Sequence, residues 1–345
     1  MNLGFIKSPL LRYLVVRLLL IFPTIFILVS MVFFVMRAIG DPITAALGGR
    51  LAPAELARRI HLAGYDRPVL VQYFDYLGQI ARLDFGHTLT HQTIGDVLAT
   101  YGMATVEITV YAVIVALAVG IPLGMLAAHR RDTRVDAGAR FFGILAYATP
   151  VFFVGLLLKL VFGVMLPILP IAGRASISNE MLLQTVPSST GFYLIDALRT
   201  GDITIISDVL AHAVLPALTL GLLTAGIFMR LVRTNMIGTL SNDYVDAARS
   251  RGVTEYRLVT KHAYRPALIP VITVVGMQIA VLLSGAVLTE TTFEWKGLGF
   301  QLAAFLNARD FVAVQGIVAL LAVVVAVTNF LVDVLAAIID PRIKY

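Results

Sequence analysis

The densest cluster of chemically capable residues in this chain is a charged stretch between two apolar runs. It reads Ser241-Asn242-Asp243-Tyr244-Val245-Asp246-Ala247-Ala248-Arg249-Ser250-Arg251-Gly252 and continues through Val253 to Arg265-Pro266-Ala267-Leu268-Ile269-Pro270. The order of charges suits a short helix. Asp243 and Asp246 favour its positive end, Arg249 and Arg251 its negative end. Ser241, Asn242 or Asp243 can cap the start, and Gly252 fits a left-handed stop. A helix of about two turns does not persist in water without packing. Thr254 to Arg265 then reads as a second amphipathic stretch, with Tyr256, Val259 and Ala263 on one face and Pro266 opening the next apolar run. Two short helices meeting at a glycine suit a docking knob. An ordinary amphipathic interfacial turn has the same composition.

The other reactive side chains do not assemble into a catalytic or metal site. His87 and His91 have the i, i+4 spacing of a helical metal pair. Asp84-Phe85-Gly86 predicts a turn there, with no third ligand close in sequence, so no metal is expected. Of six histidines (His61, His87, His91, His129, His212, His262) only His212 falls within an apolar run. No aspartate pair sits mid-run in two helices, and no GxxxxGK[ST] phosphate loop is present. The chain is therefore expected to be no enzyme and to hydrolyse no ATP itself.

The elements that hold these residues belong in a bilayer. Hydrophobic residues make up 59%, charged residues 14%, and the mean hydropathy is +0.88; a soluble chain carries about a quarter charged residues. With no cysteine, disulfide and thiolate chemistry are excluded. The net charge of +6 is better explained by membrane topology than by nucleic acid. The first apolar stretch is too long for a cleaved signal peptide and reads as an uncleaved span. Six stretches approach the ~20 residues needed to cross the hydrocarbon: 18–36, 104–128, 141–166, 209–233, 266–289 and 311–338.

An even number of crossings puts both ends on one side. Sixteen Lys and Arg fall on that side: Lys7, Arg12, Arg17, Arg130, Arg131, Arg134, Arg140, Arg230, Arg233, Arg249, Arg251, Arg257, Lys261, Arg265, Arg342 and Lys344. Ten are spread over the longer opposite loops. Both termini and the 230–265 region are thus expected to be cytoplasmic. Residues 1–103 form the first span and an external helical segment, and 104–345 the remaining core. Residues 53–85 read as one or two surface helices, with Pro53 and Glu55 at a start that Ala52 caps poorly. Residues 167–208 are a long external excursion, expected to be partly ordered and to cover the outer mouth.

Pro23, Pro122, Pro150, Pro216 and Pro270 lie inside spans and favour bends. Gly120 and Gly124, like Gly221, Gly226, Gly276 and Gly285, allow close helix approach. Charges near span ends are functional candidates. Snorkelling for Lys159 and interfacial placement for Glu107 and Asp333 are the simpler expectations. Glu107, Lys159, Gln278 and Asn329 are the candidates for lining a translocation pathway.

Asp246-Ala247-Ala248, then Gly252, then Ile269-Pro270 follow the spacing of the EAA motif, and the chain resembles ATP-binding-cassette (ABC) importer permeases. Tyr244-Val245, Ala248-Arg249, Gly252, His262, Arg265 and Ala267-Leu268-Ile269-Pro270 are similar to the dipeptide/oligopeptide/nickel (peptide-importer) branch. So are Gly40-Asp41-Pro42, Asp84-Phe85-Gly86, Glu290-Thr291-Thr292-Phe293, Gly297-Leu298-Gly299, Arg309-Asp310 and Asp340-Pro341-Arg342-Ile343. Asp246 stands where the motif has Glu, Pro266 where a polar residue is commoner, and Lys296 where proline is.

The resemblance implies an all-α polytopic membrane protein of the type I ABC importer permease fold in a bacterial inner membrane. Tyr244, Val245, Asp246, Ala247, Ala248, Arg249, Gly252 and Val253 would meet the ATPase, with His262 and Arg265 bracing the second helix. The implied partners are a second homologous permease, two cytoplasmic ATPase subunits or one fused ATPase, and an external peptide-binding protein. ATP and Mg would bind those ATPases, and no cofactor this chain. Short peptides are the expected cargo, with nickel, glutathione or haem as alternatives; a stand-alone secondary transporter or channel is the reading from another class.

Overall fold

The computed structural model describes residues 9–49, 51–187 and 189–339. Lys7, Arg342, Lys344, the Asp340-Pro341-Arg342-Ile343 motif and the side chain of Ile269 lie outside what it describes. Helix α1, Pro9–Ile39, contains Pro23. The carboxylate of Asp41 then accepts hydrogen bonds from Ile43 N and Thr44 N, both at 2.9 Å, and so caps α2, Pro42–Leu47. Residues 53–85, expected to hold one or two surface helices, form α3, Pro53–Leu62, and α4, Val69–Ala81. Ala52 gives α3 no side-chain cap, as its lack of an oxygen dictates.

Helix α5, Ile94–His129, is long enough to cross a membrane. The stretch 141–166 does not form one straight helix. Helix α6, Arg134–Ala148, and α7, Val151–Leu158, continued by a π-helical turn over Lys159–Met165, meet at 106°. Pro150 causes this break: it has no N–H for the preceding turn and drives Thr149 to extended backbone (φ −91°, ψ 129°). It therefore caps α7 rather than lying inside a helix.

The excursion that follows is ordered into α8, Ile177–Thr185, and α9, Tyr193–Thr200. Leu183, Tyr193, Ala197, Ile205 and Val209 form a small core there. Asp208 accepts hydrogen bonds from Ser176 N, Ser176 Oγ and Asn179 Nδ2 at 2.7–2.8 Å. Helix α10, Ile203–Leu240, starts earlier and ends later than its apolar run suggests, because Asp202 caps it by accepting from Thr204 N at 2.8 Å. Next come α11, Asp243–Ser250, and α12, Glu255–Arg257, a π-helical turn over Leu258–Ala263, and α13, Tyr264–Gly285. Glu255–Leu268 and Pro270–Leu283 are inclined by 54° across Pro270, and the span expected to reach 289 ends at Gly285. Helices α14, Val287–Thr292, α15, Leu298–Asn307, and α16, Phe311–Ile339, complete the chain.

Among the described residues, four helices are each long and apolar enough to span a bilayer, and up to six spans result when each bent pair counts as one. The described residues contain helices and no strand. Along Leu14–Ile39 only 11% of the most apolar window is buried, which leaves side chains such as Phe22 and Ile27 exposed as hydrocarbon would require.

The chain forms two compact units. One holds Met1–Ala104 and Lys296–Leu331; the other holds Thr105–Trp295 and Val332–Lys344. In the first, Val29, Phe33, Tyr76 and Ala319 make one buried cluster, and Ile94, Val97, Leu298, Ala313 and Ile317 another. In the second, α10 is the spine against which α6, α7, α9 and α13 pack. Gly120 and Gly124 let α5 approach it closely. A Cβ at Gly120 would lie 2.8 Å from Ala225 O, and one at Gly124 2.7 Å from Met229 O. The GxxxG spacing thus serves helix packing.

Candidate coupling site

Helix α11 starts after Asn242, whose carbonyl rather than side chain makes the first contact, accepting from Val245 N at 2.9 Å. It ends in a Schellman stop: Gly252 N donates to Arg249 O at 3.0 Å and Val253 N to Ala248 O at 3.3 Å. Gly252 has φ +81° with open space where a Cβ would be, so glycine is selected by backbone conformation and not by crowding.

Arg249 then clips α11 to α12 across the glycine. It donates to Asp246 on its own helix and, through Nε, to Glu255 Oε1 at 2.6 Å. Hydrogen bonding to Glu255 raises the Arg249 pKa further above its ordinary value, so the clip stays charged throughout the physiological range. Val245 is wholly buried, and α11 packs on the π-helical turn after α12. Val259, Ala263, Ala267 and Val271 form one buried row with Ala128, Val232 and Met236.

Tyr256 does not share that row; it is 78% exposed. The π-helical turn has more residues per turn than the 3.6 of an α-helix, so the buried positions recur at i+4 and Tyr256 rotates outward. Pro266 has no N–H to offer His262 O. Tyr244 Oη, from α11, donates to that oxygen at 3.4 Å.

Of the ten residues assigned to coupling, Tyr244, Asp246, Ala247, Arg249, Gly252 and Arg265 are exposed, and Ala248, Val253 and His262 are half-buried. Val245 alone points fully into the protein, where it anchors the knob. The geometry is a rigid two-helix projection with a mixed-charge outer face. It offers a surface to dock on.

The pathway candidates fall into separate surroundings. Glu107 is fully buried within the protein, ion-paired with Arg174, and accepts from Tyr111 Oη at 2.8 Å and Leu194 N at 3.0 Å. Lys159, for which snorkelling is the simpler expectation, turns to a protein partner. Its Nζ donates to Thr292 O at 2.7 Å and lies over the Phe293 ring. Gln278 is half-buried on α13, and Asn329 is exposed on α16. His87 and His91 do not share a helical turn: His87 pairs with Thr93 across an isolated bridge, and His91 has φ +64°.

Sequence reasoning singled out Glu290–Phe293 only for its resemblance and gave no role to this segment, on which the Glu107 and Lys159 networks converge. Thr105 Oγ1 donates to Glu290 at 2.7 Å, Gly173 N to Phe293 O at 2.9 Å, and Arg174 stacks on Tyr193 and lies near Trp295. Residues 290–295 thus tie α5, α7 and the 167–208 excursion together. A signal was available: Arg174 is one of only two basic residues in 167–208, and Glu107 is the one acid within 104–128. The buried Asp136, held by two hydrogen bonds from Arg233 (Nε and Nη2), was missed as well because Arg233 was weighed only as a topology charge.

Comparison with known proteins places these features in context. Residues 120–345 match the family described as binding-protein-dependent transport system inner membrane component, and residues 10–114 match the N-terminal region of such membrane components. The chain is 37% identical over 332 residues to a di/tripeptide transport system permease protein, DppB, of Pseudomonas aeruginosa, covering 95% of this chain and 97% of that one. It is 36% identical over 338 residues to the dipeptide transport system permease protein DppB of Escherichia coli K12, covering 97% and 99%. It is 32% identical to the dipeptide permease DppB of Alkalihalophilus pseudofirmus, covering 97% and 100%.

Proposed function

The chain belongs to the family of binding-protein-dependent transport system inner membrane components, and on that premise we propose that it admits short peptides to the cytoplasm by coupling residues 241–265 to separate ATPase subunits. It is a multi-pass permease of a bacterial inner membrane, and its family works with ATPases and a solute-binding protein. Di/tripeptides and dipeptides are what the relatives' names give as their cargo, and this supports the same class here. The observation that carries the coupling is helix α11. It is stopped by Gly252, clipped by Arg249, anchored by Val245, and leaves Asp243, Tyr244, Asp246 and Ala247 exposed.

In this reading the chain is non-catalytic and holds no cofactor; ATP and Mg bind the partner ATPases, two subunits or one fused chain. A second homologous permease completes a heterodimer, and the peptide-binding protein docks on the outer face. Both termini and the knob lie in the cytoplasm. Closure of the ATPases pushes α11, and the rigid α11–α12 unit passes the displacement into the buried row that runs from Val259 to Val271. ATP must bind one conformation more tightly than the other, since a ligand with equal affinity for both shifts nothing. Helices bent at Pro150 and Pro270 rearrange, while the ordered 167–208 excursion gates the outer mouth. Glu107 and Lys159 brace that outer end, with Gln278 and Asn329 as further pathway candidates.

The test replaces Gly252 with Leu in the assembled transporter. Membrane insertion and assembly persist, ATP hydrolysis continues, and uptake of a labelled dipeptide falls about tenfold, as a loss of roughly 1.4 kcal/mol of coupling would give. Unaltered dipeptide uptake overturns the coupling assignment. Uptake of nickel, glutathione or haem in place of dipeptide overturns the cargo.

A further inference from the structure

We propose that the groove between α6 and α10 in the second unit binds an anionic phospholipid. The groove encloses about 440 Å³, and its lining is of two kinds. Arg140 from α6 and Arg230 and Arg233 from α10 supply its charges; Ile144, Tyr147 and Ala148, one to two turns further along α6, supply an apolar wall. From Arg140 to Ala148 a helix rises about 12 Å, roughly the step from a headgroup layer into acyl chains.

These charges are not cancelled from within. Arg233 is spent on the buried Asp136, to which it donates twice. Arg140 is 3.8 Å from the same carboxylate with 54% of its side chain exposed, and Arg230 is exposed. Two of the three arginines thus share one aspartate while Arg230 stays exposed, and none of the groove-lining residues is acidic. Guanidinium forks match phosphate oxygens in pairs, and basic pockets between spanning helices suit anionic headgroups.

The apolar wall favours a lipid over a peptide. A peptide in the groove would need hydrogen-bonding groups along its whole backbone. Gly143, Ile144, Ala148 and Met229 supply only surface to pack on, while Ile144 is 66% and Tyr147 80% exposed. An acyl chain covers such side chains without leaving a polar group unsatisfied.

The intact importer, stripped of lipid in detergent, would be incubated with phosphatidylglycerol carrying a photoreactive acyl chain, and the crosslinks mapped by mass spectrometry. Labelling is expected on α6 between Ile144 and Ala148. It should fall about tenfold in the R140Q/R230Q variant and recover in R140K/R230K, which keeps the charge. A phosphatidylcholine probe should label weakly, and excess inorganic phosphate should not displace the lipid. Equal labelling in wild type and R140Q/R230Q, or by both headgroups, overturns the proposal. Displacement by phosphate alone would make this a bare anion site. A Y147C variant that crosslinks to a second permease chain and thereby abolishes lipid labelling would make it a subunit interface.

Discussion

Two residues show how differently a single side chain can matter here. Gly252 sits at φ +81° with nothing near its absent Cβ, so replacing it strains the backbone without a clash. Gly252→Ala should destabilise the local turn by about 1 kcal/mol, and Gly252→Asn by less, because asparagine tolerates the left-handed region. Hydrogen exchange of the Val253 and Gly252 amides would report this, and equal protection in both variants would refute it. Glu107 is the opposite case. It is fully buried, paired with Arg174, and accepts two further hydrogen bonds, from Tyr111 Oη and Leu194 N. Removing one partner of a buried ion pair strands the other, at a cost of about 3–5 kcal/mol. Arg174→Met should therefore lower the melting temperature of the purified complex sharply. The double variant Glu107→Gln with Arg174→Met should recover much of the loss. Additive losses would show that the two charges act independently.

At the scale of elements, packing distances decide what substitutions do. Gly124 lies where a Cβ would be 2.7 Å from both Met229 O and Val232 Cβ. Gly124→Leu must push α5 off α10, and we expect the variant to be degraded or unassembled in the membrane. Normal yield of assembled complex would show that the two helices have room to part. The same scale explains which elements were legible in the sequence. The glycine stop of α11 was readable because a Schellman turn depends on local chemistry alone. The surface helices α3 and α4 and the long apolar helices were readable from composition and length. A bend at Pro150 was readable but its 106° sharpness was not, because a proline in an apolar run bends or breaks a helix according to what packs beside it. Tyr256 was misplaced for a related reason: a π-helical turn shifts the register, and periodicity assumes 3.6 residues throughout. The Glu107–Arg174 pair is separated by 67 positions, so no local pattern announces it.

The whole molecule offers one test that its composition makes unusually clean. The chain has no cysteine, so any thiol introduced is the sole reactive site on this subunit. The coupling reading requires residues 230–265 to face the cytoplasm, because ATP is available only there, and the excess of Lys and Arg on that side of the expected spans supports this orientation. Lys261 is exposed on the π-helical turn after α12, and Ser178 is on α8 in the 167–208 excursion. In intact cells a membrane-impermeant maleimide should label Ser178→Cys and leave Lys261→Cys untouched. In inside-out vesicles the pattern should reverse. Both positions lie within the second unit, so the result needs no assumption about how the units meet. The opposite labelling would place the knob outside the cell, where no ATPase could reach it. Labelling of both sites from one side would show that α10, the long apolar helix between them, does not cross the membrane.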